Sequence, residues 1–170
     1  MATLATETIK LPASLAPDRL EKFLGWGAIV LLAAMLAAIA RGRPDWAEIP
    51  WQVWAHLTAI GTALALSPVM MWNRRGDARH RKLGYVWVTA MALAAIITFD
   101  MRLINHGRFS IIHILSVWTL IQLPIIVLSA RAHNHARHRR SVRGMLIGAL
   151  LIAGFFTFPF ERMLGKWLFG

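Results

Sequence analysis

Four histidines stand where imidazole chemistry is possible in an otherwise apolar chain. His56 lies in WAHL (54–57) and His113 in IIHILSV (111–117), each flanked by apolar residues. His80 and His138 lie in ARHRK (78–82) and ARHRR (136–140), two nearly identical strings 58 positions apart. A neutral imidazole nitrogen binds iron, and two imidazoles on facing helices ligate a b-type haem from both sides. That bis-His arrangement leaves no open position and favours electron transfer over oxygen chemistry. Arg79 and Arg137, beside the histidines of the basic strings, suit the haem propionates, which a guanidinium binds bidentately.

The elements that must position these side chains are written in the hydropathy. The 170 residues are 57% hydrophobic, yet the formal charge is +11, the pI about 11.7 and the mean hydropathy +0.52. Charge and apolarity alternate in blocks, as in a polytopic membrane protein; a nucleic-acid binder would instead carry basic stripes on amphipathic helices. Five stretches, 23–40, 51–72, 83–99, 109–130 and 144–160, contain no Lys, Arg, Asp or Glu. Each reaches the roughly 17 residues that a helix needs to cross a bilayer. The expected organisation is a cytoplasmic segment at 1–22, a transmembrane helix at 23–40, helical hairpins at 51–99 and 109–160, and an outer tail at 161–170.

Orientation follows from the cations. With the N-terminus inside, 13 Lys and Arg fall on the inner side and 6 on the outer, so the positive-inside rule gives a cytoplasmic N-terminus and a periplasmic C-terminus in a bacterial inner membrane. Trp46, Trp51 and Trp54 then mark the outer boundary, and Trp26, Trp72 and Tyr85 the inner one. The stretch 23–40 ends in Ala38-Ile39-Ala40, similar to a signal-peptidase site, but its length and the upstream Pro12 and Pro17 favour a retained helix.

The two hairpins share spacings. His56 precedes Pro68 by 12 residues and His113 precedes Pro124 by 11; His56 precedes His80 by 24 and His113 precedes His138 by 25. His80 leads to Thr98-Phe99, and His138 to Thr157-Phe158, in 19 and 20 steps to the Phe. The expected fold is therefore all-α, with a four-helix core built as a parallel two-hairpin repeat and a peripheral N-terminal helix. A two-fold axis along the membrane normal would pair His56 with His113 near the outer boundary and His80 with His138 near the inner one. Convergence of positive-inside loops on Arg- and His-rich strings is the competing explanation of the repeat.

WAHL, RRGDARHRKLG (74–84), IIHILSV and the end running from HRR (138–140) to PFERMLG (159–165) resemble an uncharacterised family of bacterial membrane proteins, the domain-of-unknown-function family twenty-three-oh-six, over about residues 45–170. The resemblance carries over the four histidines and no activity. The four-histidine pattern is also similar to di-haem b-type transmembrane cytochromes, including ascorbate-dependent ferric reductases. That likeness implies one haem between the first and third helices of a four-helix core and another between the second and fourth. His80 and His138 depart from it by lying close to the boundary in very basic surroundings.

Each histidine also has a plainer reading, as an interfacial residue bonded to a headgroup or carbonyl. The inner cations attract anionic lipid at about 1 kcal/mol each. His133, His135 and His138 form an HxHxxH string of a kind that binds zinc or copper. The chain has no cysteine and no Ser-His-Asp set, paired intramembrane carboxylates or phosphate loop, so hydrolase and kinase chemistry have no support. The leading expectation is a haem b electron-transfer protein, with one or two haems and a quinol or other redox partner. The alternatives are a non-catalytic accessory subunit of a larger respiratory or photosynthetic complex and a small transporter; the uncharged helices disfavour transport.

Overall fold

The computed structural model describes residues 16–73, 75–101 and 111–170. Lys10, Arg74, Arg102 and Arg108 of the charge count, most of the segment 1–22, and the start of the stretch 109–130 lie outside the described residues.

α1 (Arg19–Arg41) begins at a capping box. The Glu21 N–H donates to Asp18 Oδ1 at 3.0 Å and the Asp18 N–H to Glu21 Oε2 at 3.1 Å, so two amides with no partner inside the helix are satisfied reciprocally. The helix ends at Gly42, and the Trp46 indole N–H donates to the Ile39 carbonyl at 3.0 Å, covering one of the last open acceptors. A 3₁₀ segment (Arg43–Glu48) and Pro50 lead into α2 (Trp51–Trp72). Gly76, at φ 83°, turns the chain into α3 (Ala78–Asp100), whose N-cap Asp77 accepts the His80 N–H at 2.7 Å. α4 spans Ile111–Arg131, and Asn134 caps α5 (His135–Met145) by accepting the Arg137 N–H at 3.0 Å. α5 runs on as a π-helical segment (Leu146–Ile152) and the single turn α6 (Ala153–Phe155) before the chain breaks and closes with α7 (Met163–Phe169).

Consecutive helices lie side by side from α1 to α5, and the π-helical segment and α7 return to α1. Small residues let α2 and α3 approach: Ala59, Ala63, Ala90, Ala94 and Ala95 are buried, and closely approaching backbones gain dispersion contacts along their whole length. The Trp87 indole donates to Ser67 Oγ at 3.1 Å, and Ser67 donates to the Ala63 carbonyl at 2.7 Å. This relay fixes the register of α2 against α3.

Four helices are long and apolar enough to cross a membrane: α1, α2, α3 and, from Ile112, α4. Only 28–33% of each apolar window is buried within the fold, so most of the apolar surface faces outward, as lipid-facing helices require.

The fifth expected span is different. Its helix starts at His135, nine residues before 144, because Asn134 caps it there. The apolar part, 144–155, is only 12 residues long, shorter than a crossing needs. The helix stops ahead of Pro159, with Phe160 and Glu161 at positive φ, 61° and 55°.

α1, expected at the periphery, packs one face on α2, α7 and the π-helical segment while Phe23, Trp26, Val30 and Leu36 stay exposed. Ala28 and Ala38 are fully buried. Trp72 lies on Gly25 and Trp167 on Gly42 so closely that a Cβ at either glycine would overlap the indole. Small residues on one face, and a carboxylate at the start of the helix, draw α1 into the bundle.

Candidate functional site

Polar side chains gather in two places. At the end of the bundle where α1 starts, Glu21 is 1% exposed and meets three guanidiniums. Arg139 reaches it with Nε to Oε1 at 2.7 Å and Nη2 to Oε2 at 2.9 Å. Arg143 Nη2 lies 2.9 Å from Oε1, and Arg75, from the α2–α3 turn, pairs with Oε2. Asp18 takes Arg139 at 3.2 Å and also Arg143. Two carboxylates thus face three cations, leaving one positive charge. The cluster ties the first turn of α1 to both hairpins.

The electrostatics follow from this geometry. The Glu21 N–H holds the Asp18 carboxyl below its ordinary range, and Arg143 adds to that against the cost of burial. The Glu21 carboxylate raises Arg139 above the usual guanidinium value. The α1 carboxylates meet Arg139 and Arg143 in the second and last turns of α5.

His138 sits just above this cluster. Its Nδ1 donates to the Ile126 carbonyl of α4 at 3.0 Å. Burial, with the charges of His135 and Arg75, lowers its pKa against the opposing effect of that carbonyl. His80, half-buried on α3, is close enough to His138 and Arg75 to feel their charge. The bundle therefore brings His80 and His138 into one electrostatic neighbourhood. Arg79 and Arg137 are exposed beside them.

At the opposite half, His56 and His113 converge on the last turns of α3. His56 Nδ1 donates to the Ala94 carbonyl at 3.1 Å, an acceptor shared with Thr98 Oγ1 at 2.8 Å. The His113 ring is 5% exposed and lies against Phe99, with ring centroids 5.9 Å apart. Ser116 and Thr119, one and two turns along α4, are buried on the same face. The interior here is polar on α4 and small on α3.

The hydrogen bonds of His56 and His138 decide which imidazole atoms have ligand capacity. A carbonyl only accepts, so Nδ1 carries the proton and the neutral ring keeps its lone pair on Nε2. A carbonyl on the far nitrogen is the usual outer support of a metal-bound histidine. By this test both residues fit the role of an axial haem ligand. The HxHxxH string does not gather: the His133 and His135 rings pack edge to face at 6.4 Å, while His138 turns to α4. Among the described residues no group of three or more His, Cys, Asp or Glu is placed to hold a metal ion.

The cationic side of the Glu21 cluster was visible in the sequence as loop charge, but its acidic centre was not singled out. The available signal was the Asp18-x-x-Glu21 spacing immediately before an apolar run, a capping-box pattern. Comparison with family models, curated proteins and solved structures returned no match.

Proposed function

We propose that the chain is a b-type haem-binding transmembrane electron-transfer protein, with bis-His ligation by His56 of α2 and His113 of α4. The observation that carries this reading is the His56 Nδ1–H bond to the Ala94 carbonyl, which leaves Nε2 basic inside an apolar helix. His113 supports it as a buried imidazole leaning on the same end of α3. When bound, haem would supply a one-electron couple held six-coordinate. The chain's own part is to orient two imidazoles, exclude water with Phe99 and the small residues of α3, and hold a proton on His56 Nδ1.

The finer architecture belongs to the same proposal. The stretch 144–160 would be the fifth crossing, with 161–170 as an outer tail, and the α2–α3 and α4–α5 hairpins would be the two repeats. The N-terminus would be cytoplasmic and the C-terminus periplasmic in a bacterial inner membrane, with a quinol or another redox protein as partner. The likeness to di-haem cytochromes rests on the four histidines, and that to family twenty-three-oh-six on the strings WAHL, RRGDARHRKLG, IIHILSV and HRR to PFERMLG. The open, basic surroundings of His80 and His138 lead us to place a haem at the other pair.

The test is haem content in single variants. His56→Ala and His113→Ala should each abolish the same haem; unequal, independent losses would contradict shared ligation. A second reading, a non-catalytic accessory subunit, draws support from the exposed aromatic cluster of Phe155, Phe156 and Phe160, packed edge to face at 5.7 Å and stacked at 6.4 Å. A haem-free chain that co-purifies with a larger membrane complex would favour it.

A further inference from the structure

The two ARHR strings open two helices, and their charges are met differently. In α5, Arg139 is paired with Glu21 and Asp18, and His138 with the Ile126 carbonyl. In α3, Arg81 turns back to the Gly76 carbonyl at 3.0 Å. Among the described residues, neither Arg79 nor the His80 ring makes a side-chain hydrogen bond or ion pair. A cation in a first helical turn is opposed by the dipole, and at this end of α3 the Asp77 cap is the carboxylate beside Arg79.

Beside these residues is an open groove of about 180 Å³ between the last turns of α2 and the first turns of α3. Val69, Met70 and Leu83 make its apolar side; Asn73, Arg79 and His80 carry the donors. Asp77 also lines it; its Oδ1 accepts the His80 N–H as the α3 cap, and its negative charge sits beside the positive charge of Arg79. One Asn73 amide hydrogen goes to the Val69 carbonyl at 2.8 Å, which leaves a second for a ligand. The volume is about six water molecules' share of liquid. It is below the ~300 Å³ at which pockets for drug-sized ligands begin, so it suits a headgroup and not a macrocycle.

We infer that this groove binds the phosphate headgroup of an anionic glycerophospholipid, with Arg79, His80 and Asn73 on the phosphate and the acyl chain beginning along Val69, Met70 and Leu83. The site lies at the end of apolar helices, where a headgroup meets hydrocarbon, and basic pockets of this kind hold anionic lipid. Inorganic phosphate would satisfy the donors and leave the apolar side uncovered. The inference rests on the helices spanning a membrane, and is independent of haem.

Native mass spectrometry of the full chain in detergent, titrated with phosphatidylglycerol, phosphatidylcholine and inorganic phosphate, provides the test. The expected result is one preferred phosphatidylglycerol. Its affinity should fall about tenfold or more in Arg79→Gln, the effect of losing a charge-assisted hydrogen bond. It should also fall in Leu83→Asn, and hold in Arg140→Gln, an exposed arginine outside the groove. Equal losses in Arg79→Gln and Arg140→Gln would overturn the site in favour of a diffuse basic belt. Equal binding of phosphatidylcholine, or displacement by inorganic phosphate at matching affinity, would overturn the choice of ligand. Arg79 is exposed, so its variant should keep the wild-type melting temperature. A haem-free preparation that still binds the lipid leaves this inference standing while removing the haem proposal.

Discussion

Glu21→Gln keeps the shape of the side chain and removes one charge from the centre of the ion cluster. Arg139 and Arg143 would then keep only Asp18, whose own side chain is 44% exposed, and Arg75 would lose its carboxylate. Breaking a buried ion pair from one side costs about 3–5 kcal/mol, because the remaining charge is left uncompensated. The arginine side chains are 13%, 23% and 23% exposed, so water reaches them and the lower figure applies, about 3 kcal/mol. For a chain of this length each kcal/mol moves the melting temperature by about 2–4 °C, which gives a fall of about 6–12 °C. Tryptophan fluorescence in detergent reads it directly, since Trp72 packs against Gly25, one turn beyond Glu21. Glu21→Gln combined with Arg139→Gln should cost less than the sum of the two single changes. A fall below about 2 °C, or strict additivity, would refute the idea that this cluster holds α1 in the bundle.

Three further outcomes follow. His138 has its pKa lowered from 6.5 by burial, so the folded state resists a proton that the unfolded chain accepts. Stability is unaffected above that value and falls as pH drops below it; thermal unfolding should show the loss setting in as pH falls through about 6.5, and His138→Gln should flatten it. Asp18 has its pKa lowered from 3.8, so its contribution is present above that value and lost as pH falls through the folded one. The gap in melting temperature between wild type and Asp18→Asn should therefore close below about pH 4. Gly42→Ala places a methyl inside the Trp167 indole, and such overpacking costs about 1–3 kcal/mol; an unchanged melting temperature would mean that α7 is not docked on α1.

The apolar elements were legible because α1, α2, α3 and α4 advertise themselves by uninterrupted hydropathy. The basic strings were legible as a pair, but they begin helices and are not loops, because Asp77 and Asn134 cap earlier than the apolar runs suggest. The spacing of His80 to Phe99 and of His138 to Phe158 matches in number, yet Phe99 lies within α3 whereas Phe158 follows the end of the helix, ahead of Pro159. A proline disfavours helical backbone in the residue before it, so equal spacing does not produce equal structure. Pro68 and Pro124, by contrast, sit inside helices that continue past them. Burial of Glu21 was not legible, since it depends on arginines 54, 118 and 122 positions away. The contacts that dock α1 were hidden for the same reason: Trp72, Arg139 and Trp167 are distant in sequence. The convergence of His56 and His113 on α3 is likewise tertiary, although their shared position near the starts of α2 and α4 was plain from the residues.

The most direct measurement is a reduced-minus-oxidised visible spectrum of the detergent-purified chain from haem-supplied cells, with haem quantified per chain. The haem reading requires a sharp b-type band at about one haem per chain, lost in both His56→Ala and His113→Ala. A colourless protein that unfolds cooperatively would contradict it and return His56 and His113 to the role of bonding the helices of the bundle together.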